Sequence, residues 1–196
     1  MDVFSFNRSP TRWFALLASA AITLAAVPSW AHSTPPATVA HCAYVVLVGG
    51  CNDCHTPLKM GPTGPAPDLA HKLSGHPEAL VILPAPPAGG PWVWSGAATN
   101  TAFAGPWGVT YAPNLTPDPT TGIGGWTEAQ FVAALTSGKH LGVGRPILPP
   151  TPWQSMARMR AADLRAMFAY LRTVPAVRNR VPEATPPTTA AANAAH

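Results

Sequence analysis

The chain has 196 residues, 12 of them basic and 8 acidic, which gives a formal net charge of +4 at pH 7. Only 10% of the residues are charged, against about 25% in an average soluble domain. This mild charge, without a basic cluster, argues against a nucleic-acid partner. The 25 prolines predict long ordered loops rather than regular layers.

The N-terminus has the layout of a secretory signal peptide. Arg8 and Arg12 precede an uncharged, mostly apolar run, Trp13–Val27, and small residues follow. The run is shorter than the roughly 20 residues that cross a bilayer, and no later stretch is long and apolar enough to span one. We therefore predict a signal peptide over 1–31 that is cleaved near Ala31, with no membrane span left after cleavage.

The sequence Cys-Asn-Asp-Cys-His at 51–55 is the most informative stretch of the chain. In an exported protein this pattern is typical of c-type haem attachment. Two thiols three positions apart reach the two vinyl groups on one porphyrin edge, and the next histidine brings a ring nitrogen to the iron. The motif predicts one covalent haem c on Cys51 and Cys54, with His55 as proximal ligand. A zinc site or a thiol-redox pair fits poorly, because the βαβ pattern of thioredoxin-like proteins is absent.

The segment before the motif, from about Thr38 to Val48, predicts a helix that ends at a double glycine, although its β-branched residues also suit a buried strand. One helical stripe carries four residues of this segment, Ala40, Tyr44, Leu47 and Val48. Use of two cysteines for haem leaves Cys42 without a partner, and we expect it to be a small buried apolar residue.

The segment from Thr56 to about Thr110 is rich in turn signals and is predicted to be irregular. Within it, Leu80–Leu83 and Trp92–Trp94 suit two short strands of a small hairpin. His71 and His76 are expected at the surface rather than on a metal.

The second half of the chain predicts a haem crevice and two helices. Trp107 and Asn114 suit the crevice wall, where N–H groups hydrogen-bond propionates, and an ordinary packed loop is the equal alternative. Arg145 is a candidate propionate partner, because guanidinium pairs with carboxylates in bidentate geometry, and a solvated loop arginine is the equal alternative. One helix is predicted from a capping box at Thr127 to Gly138. A later amphipathic helix ends before Pro175 and has four apolar residues on one face, Leu164, Met167, Phe168 and Leu171.

The chain resembles small periplasmic monohaem cytochromes c of bacteria. The resemblance rests on the motif region Gly50–Pro57, on Asn114–Asp118 and Thr121–Trp126 in mid-chain, and on Ala169–Thr173. It covers roughly residues 44–182. It implies an all-α cytochrome c fold that wraps one haem, with long Pro/Gly-rich loops and room for a small β-hairpin insertion.

The domain boundaries follow from these patterns. One cytochrome c domain is predicted over 32–182, and a disordered tail over 183–196 because it is rich in Ala, Pro and Thr.

The resemblance also exposes a departure at the sixth iron ligand. Members of the family carry Pro-Met-Pro-Trp where this chain reads Pro-Thr-Pro-Trp, with Thr151 at the methionine position. A threonine hydroxyl is a poor partner for haem iron compared with a thioether. Met156 is the leading replacement, and a vacant or water-filled position is the next. Met159 matches a methionine that relatives carry beside their ligand, so it need not be a replacement, and Met60 and His140 are more distant candidates.

The resemblance implies a periplasmic electron carrier rather than an enzyme. Its redox partner is expected to be a dehydrogenase or a respiratory-chain component. The alternative is a high-spin haem protein with an open sixth position that binds NO or CO or reduces peroxide, because axial ligand and distal pocket decide between carrier and ligand chemistry.

Overall fold

The computed structural model describes residues 39–82 and 93–187. The predicted signal peptide over 1–31 lies outside the described residues, as do residues 188–196 of the predicted tail. Within the described ranges, no helix has the length and apolar content needed to cross a membrane.

The described residues contain five α-helices. They are α1 (Val39–Val48), α2 (Cys51–His55), α3 (Glu128–Ser137), α4 (Trp153–Met156) and α5 (Ala161–Leu171). Two short 3-10 turns, Leu69–His71 and His140–Gly142, accompany them. The helix predicted up to Val48 is confirmed as α1.

Two small antiparallel sheets lie between α2 and α3 in the chain. Strands β1 (Leu58–Gly61) and β2 (Gly64–Pro67) form a hairpin. Strands β3 (Ser95–Gly96), β4 (Ala102–Gly105) and β5 (Gly108–Tyr111) form the second sheet in that order.

The prediction of an all-α fold is therefore wrong, because the described residues combine helices with two sheets. The strands are two to four residues long, which is too short for the alternation that identifies a strand in sequence. Residues 80–82 and 93–94, predicted as parts of a hairpin, are not in strands. The rest of that predicted hairpin, Leu83 and Trp92, lies outside the described residues.

The apolar core lies where α1 and α3 pack against α5. Its buried members are Val45, Val46, Cys51, Leu73, Ile123, Phe131, Leu164, Met167, Phe168 and Leu171. The prediction for α5 is confirmed, since all four apolar residues expected on its inner face are buried.

Helix α1 buries the face opposite to its predicted apolar stripe. Cys42, Val45 and Val46 are buried, and the prediction for Cys42 is confirmed, whereas Tyr44 and Leu47 are more than 60% exposed.

Helix α3 begins and ends as its sequence predicts. The backbone N–H of Gln130 donates to Oγ1 of Thr127, and the Gln130 side chain accepts from the backbone N–H of Thr127, which completes the capping box. The helix ends at Gly138, whose φ of 67° lies in the left-handed region that glycine adopts without steric penalty.

A second buried region is polar. Its members are Thr56, Ser74, His76, Thr101, Asn114, Thr116 and Asn179. The surface position predicted for His76 is wrong, because its ring is fully buried between the hydroxyl of Thr101, 2.9 Å from Nδ1, and the carbonyl of Leu80, 3.0 Å from Nε2. Burial lowers the pKa of His76, so the ring is neutral and each nitrogen has one partner.

The C-terminal segment, residues 177–187, follows α5 and returns to the second sheet. Val109 and Thr185 exchange backbone hydrogen bonds of 2.8 and 2.9 Å. The backbone N–H of Arg180 donates to the Glu78 carboxylate at 2.9 Å. These contacts hold the segment against the strands that precede α3.

Candidate cofactor site

Helix α2 begins after a glycine turn that brings it onto the apolar core. Gly50 has a φ of 68°, and its carbonyl accepts from the N–H of Asp53 at 3.1 Å. A Cβ atom at Gly49 would lie 2.8 Å from Cε of Met167. The double glycine therefore lets the chain turn from α1 into α2 in close contact with α5.

The two thiols of α2 lie in an environment that disfavours thiolate. Burial raises the pKa of the Cys51 thiol to about 11. Burial, and then the charge of Asp53, also raise the pKa of Cys54. Redox-active cysteines need the thiolate form, so the raised pKa values argue against a thiol-redox site. A zinc site needs three or more protein ligands, and among the described residues no group of three or more His, Cys, Asp or Glu side chains could hold a metal ion.

The imidazole of His55 has one nitrogen engaged and one available. Its Nδ1–H donates to the carbonyl oxygen of Pro113 at 2.7 Å. Burial lowers the pKa of His55, and the bond to Pro113 opposes this shift only in part. The ring is therefore neutral, and Nε2 carries the lone pair that a metal ion requires.

A cavity of about 900 Å³ opens beside α2. All three motif side chains, Cys51, Cys54 and His55, line it. Its apolar wall includes Leu115, Ile123, Trp126, Phe131, Leu135, Ile147, Leu148, Met167 and Leu171. Cofactor pockets are typically apolar, with a few convergent polar groups and volumes of about 300–1,000 Å³.

The residues present fit a covalently attached haem. Two protonated thiols and one neutral imidazole face a single large apolar cavity, which is the donor set that the Cys-x-x-Cys-His pattern predicts. Cys42, the third cysteine, is buried in α1 and is not among the residues that line the cavity.

Asn114 lines the cavity, but its amide group is engaged within the protein. Its Nδ2 donates to the carbonyl of Val177 at 2.7 Å, and its Oδ1 accepts from the backbone N–H of Thr116 at 2.9 Å. The side chain is 3% exposed. These bonds favour a role for Asn114 in holding the C-terminal segment.

Arg145 lines the cavity at an exposed position. Its Nε lies 3.8 Å from the carboxylate of Glu183, which is itself 87% exposed, so the pair is loose. Arg180 is a second cavity-lining guanidinium, which the sequence interpretation missed. No local pattern marks it, because only the return of the C-terminal segment brings it to the cavity. Both arginines are available to cofactor carboxylates.

Trp107 is not among the described residues that line the cavity. Its ring lies over Gly105, where a Cβ would be 2.6 Å from the ring. Its Nε1 is buried without a hydrogen-bond partner among the described residues. The geometry thus separates Trp107 from the motif side chains.

Three of the residues considered for the sixth position line the cavity. Thr151 precedes α4, Met156 ends α4, and His140 lies in a 3-10 turn with its ring edge-on to Trp126 at a centroid distance of 5.0 Å. Met159 instead packs against the apolar core, and Met60 is 78% exposed on β1.

Three known proteins illustrate what the chain is similar to. A subunit of nicotinate dehydrogenase from Pseudomonas putida is 39% identical over 85 residues, which is 43% of this chain and 7% of that protein. The cytochrome c subunit of quinone alcohol dehydrogenase from Gluconacetobacter polyoxogenes is 32% identical over 128 residues, 65% of this chain and 20% of that protein. A diheme c-type cytochrome of Cereibacter sphaeroides is 32% identical over 131 residues, 67% of this chain and 34% of that protein.

The similarities support a relationship to the cytochromes c, since the relatives are cytochrome subunits of dehydrogenases and a diheme c-type cytochrome. The chain spans between 7% and 34% of the length of the curated relatives it matches. No family model matches the chain.

Proposed function

We propose that this chain is a periplasmic electron-transfer protein with one haem c, attached through Cys51 and Cys54 and bound at the iron by His55. Haem supplies reversible one-electron chemistry when it is bound. The protein residues would bind it covalently through Cys51 and Cys54, fix the tautomer of His55 and surround it with apolar side chains. The single Cys-x-x-Cys-His sequence supports one haem.

The observation that carries this proposal is the state of His55 at the cavity. Its Nδ1–H is engaged by Pro113 at 2.7 Å, while Cys51 and Cys54 line the same cavity. A hydrogen bond of this kind orients a metal-binding imidazole and increases its basicity. The neighbouring thiols are protonated, which is unlike a redox dithiol.

For the sixth position we propose Met156, which is half-buried and lines the cavity. A thioether is a soft ligand that favours electron transfer. The second candidate function, small-ligand binding at an open iron, is favoured by one observation. Thr151, at the position where the family has its methionine, lines the same cavity and offers only a hydroxyl.

The proposed partner is a dehydrogenase or a respiratory-chain component. Support comes from relatives named as cytochrome c subunits of alcohol dehydrogenase and gluconate 2-dehydrogenase and as the cytochrome subunit of fructose dehydrogenase. The predicted signal peptide supports the periplasm as the location. The proposed carrier has no substrate of its own.

The covalent haem is tested by intact mass and by extraction with acid–acetone. The chain should be expressed with its signal peptide in a host that matures cytochromes c. We expect the mass of the cleaved chain plus one haem, and haem that stays with the protein in acid–acetone. Cys51→Ser and Cys54→Ser should each weaken attachment, and the double variant should lose it.

Cys42→Ser is the matched control, because this thiol is buried but does not line the cavity. It should retain covalent haem. A wild-type mass without haem, or haem extracted fully from the wild type, would refute the proposed function.

A further inference from the structure

Asn179 lies more than 100 residues from the haem motif in sequence, yet its buried side chain holds a turn that contacts the motif. Its Nδ2 donates both hydrogens, to the carbonyl of Ser74 at 2.7 Å and to the carbonyl of His76 at 2.8 Å. Its Oδ1 accepts from the N–H of Glu78 at 2.8 Å. Asn179 is only 8% exposed, so water cannot readily replace these bonds.

Gly75 lies between the two carbonyls that Asn179 holds. Its N–H donates to the carbonyl of His55 at 2.8 Å. Its φ is +80°, and a Cβ there would clash with the carbonyl of Ala112 and lie 2.6 Å from the carbonyl of Pro113. The Gly75 backbone therefore contacts His55 on one side and the peptide of Pro113 on the other.

The same turn fixes the chain on both sides of Pro113. The N–H of His76 donates to the carbonyl of Ala112 at 2.9 Å, and the N–H of Leu115 donates to the carbonyl of Leu73 at 2.9 Å. Proline has no N–H of its own to hold its position. The location of the Pro113 carbonyl, which accepts the His55 proton at 2.7 Å, thus depends on the turn at 73–76.

We propose that Asn179 is a positioning residue for His55. Its two N–H bonds fix the turn at 73–76, the turn fixes the Pro113 carbonyl, and that carbonyl selects the tautomer and orientation of the imidazole. The effect of Asn179 on iron binding by His55 rests on the proposed function. The chain of hydrogen bonds from Asn179 to His55 is present in the polypeptide itself.

The alternative is that Asn179 only stabilises the fold, as any buried and fully bonded amide does. The two roles differ in what they do to the Nδ1 proton of His55. A positioning residue controls that proton, whereas a residue that only adds stability affects it no more than an equally destabilising change elsewhere.

The experiment measures the Nδ1 proton of His55 by ¹H–¹⁵N NMR in the protein as purified, reduced if it carries haem. The variants are Asn179→Ala and Asn179→Asp, the second of which keeps the side-chain acceptor for Glu78 but has no side-chain N–H groups. Val46→Ala is the control, because Val46 is fully buried in α1 and does not line the cavity.

We expect one Nδ1–H tautomer with slow exchange in the wild type and in Val46→Ala. In both Asn179 variants, exchange of this proton should be at least about tenfold faster, as expected for the loss of one or two net hydrogen bonds. In the haem-bearing protein the midpoint potential should also shift in both Asn179 variants and stay unchanged in Val46→Ala. Wild-type exchange in the Asn179 variants, or equal acceleration in Val46→Ala, would overturn the proposal.

A measurement on the wild type needs no variant to fold. Native-state exchange at increasing denaturant should show that the Asn179 amide hydrogens, the Gly75 N–H and the His55 Nδ1–H open together, as one cooperative unit. Exchange of the Asn179 amide without exchange at His55 would contradict the proposal.

The intact mass of the same wild-type sample separates the two proposals. A protein without haem refutes the proposed function and leaves the proton readout intact, while a haem-bearing protein with unaltered Asn179 variants refutes the positioning role alone.

Discussion

Nδ1 of His55 lies 2.7 Å from the carbonyl oxygen of Pro113, although 58 residues separate them in sequence. The bond assigns the proton to Nδ1 and leaves Nε2 as the basic nitrogen. Because burial lowers the pKa of His55, the imidazole does not need to lose a proton before it binds a metal. The tautomer and burial of His55 and the neighbouring cysteines are thus all consistent with cofactor binding by α2.

If the chain carries haem as proposed, His55→Ala should abolish its stable low-spin spectrum, because no other described histidine shares α2 with the two cysteines. Visible absorption spectra of the oxidised and reduced forms provide the measurement. His71→Ala is the matched control, since its half-exposed ring binds the carboxylate of Asp68 at 2.7 Å away from the cavity. A low-spin spectrum in His55→Ala would remove this residue from the axial position.

The chain was predictable where one local pattern decides the structure. The capping box of Thr127 and Gln130 and the apolar face of α5 are such patterns, and both are found. A short motif also sufficed to bring Cys51 and His55 to one cavity, because a single helical turn holds both.

The rest depends on contacts between distant segments. The stripe with Tyr44 and Leu47 has the composition of a core face, but the opposite face of α1 packs on α5, and both faces are apolar. The five strands are too short to show a period. Asn114 and Asn179 resemble ordinary turn asparagines in sequence, and only the return of the C-terminal segment makes them buried hydrogen-bonding groups.

Acid should weaken the loop that leads into α3. Hydrogen bonds from Thr121, and then from Thr120, lower the pKa of Asp118 from 3.8 to about 2. A carboxylate with a depressed folded-state pKa contributes stability that is present above its unfolded value and is lost as the pH falls through the folded value. The contribution of Asp118 should therefore be complete at pH 7 and disappear between about pH 4 and pH 2.

Urea unfolding of Asp118→Asn at several pH values measures this contribution. The variant should have a lower free energy of unfolding than the wild type at pH 7, and the two should converge towards pH 2. Glu128→Gln serves as the comparison, because Glu128 is exposed at the start of α3. A difference between Asp118→Asn and wild type that does not change with pH would argue against the assignment.

Gly108→Ala should release the C-terminal segment from the second sheet. Gly108 has a φ of +95°, and a Cβ there would clash with the carbonyl of Thr185 and lie 2.6 Å from the carbonyl carbon of Pro186. We expect the free energy of unfolding to fall by about 1–3 kcal/mol, through backbone strain and displacement of the segment. The backbone amides of Val109 and Thr185 should lose protection from hydrogen exchange.

Gly64→Ala is the control that separates backbone strain from displacement of the C-terminal segment. Gly64 also has a positive φ, +123°, but no atom lies within 4 Å of the added Cβ. This variant should be destabilised by strain alone and keep protection at Val109 and Thr185. Equal loss of protection in the two variants would show that the clash with Thr185 has no role.

Electron transfer should depend only weakly on salt. The cavity lining carries two basic residues, Arg145 and Arg180, and three acidic ones, Asp53, Glu78 and Glu183. Both signs are therefore present, and no single-sign patch steers a charged reagent. The rate constants for oxidation of the reduced protein by an anionic and by a cationic inorganic oxidant should each change by less than roughly tenfold with ionic strength. This is the low end of the effect of electrostatic steering. Glu183→Lys should introduce a clear preference for the anionic oxidant. A steep salt dependence in the wild type would reveal a charged patch beyond these groups.

Substitutions at Met156 and at Thr151 test which residue, if any, is the sixth iron ligand. If Met156 binds the iron, the ferric wild type should show the weak far-red band of methionine–iron bonding, and Met156→Ala should lose it. Met159→Ala should keep the band, because Met159 packs against the apolar core rather than lining the cavity.

Thr151→Met is the second test of the sixth ligand. It places a thioether at the position where similar cytochromes c carry a methionine, and where this chain has a hydroxyl in the cavity lining. With Met156 already bound, this variant should change the band little and leave CO binding to the reduced protein slow. If the wild type instead lacks the band and binds CO rapidly, and Thr151→Met creates the band and blocks CO, the iron is open in the native protein. Ligand binding, rather than electron transfer, is then the function that the residues around the cavity support, because a thioether must be absent for a small molecule to reach the iron.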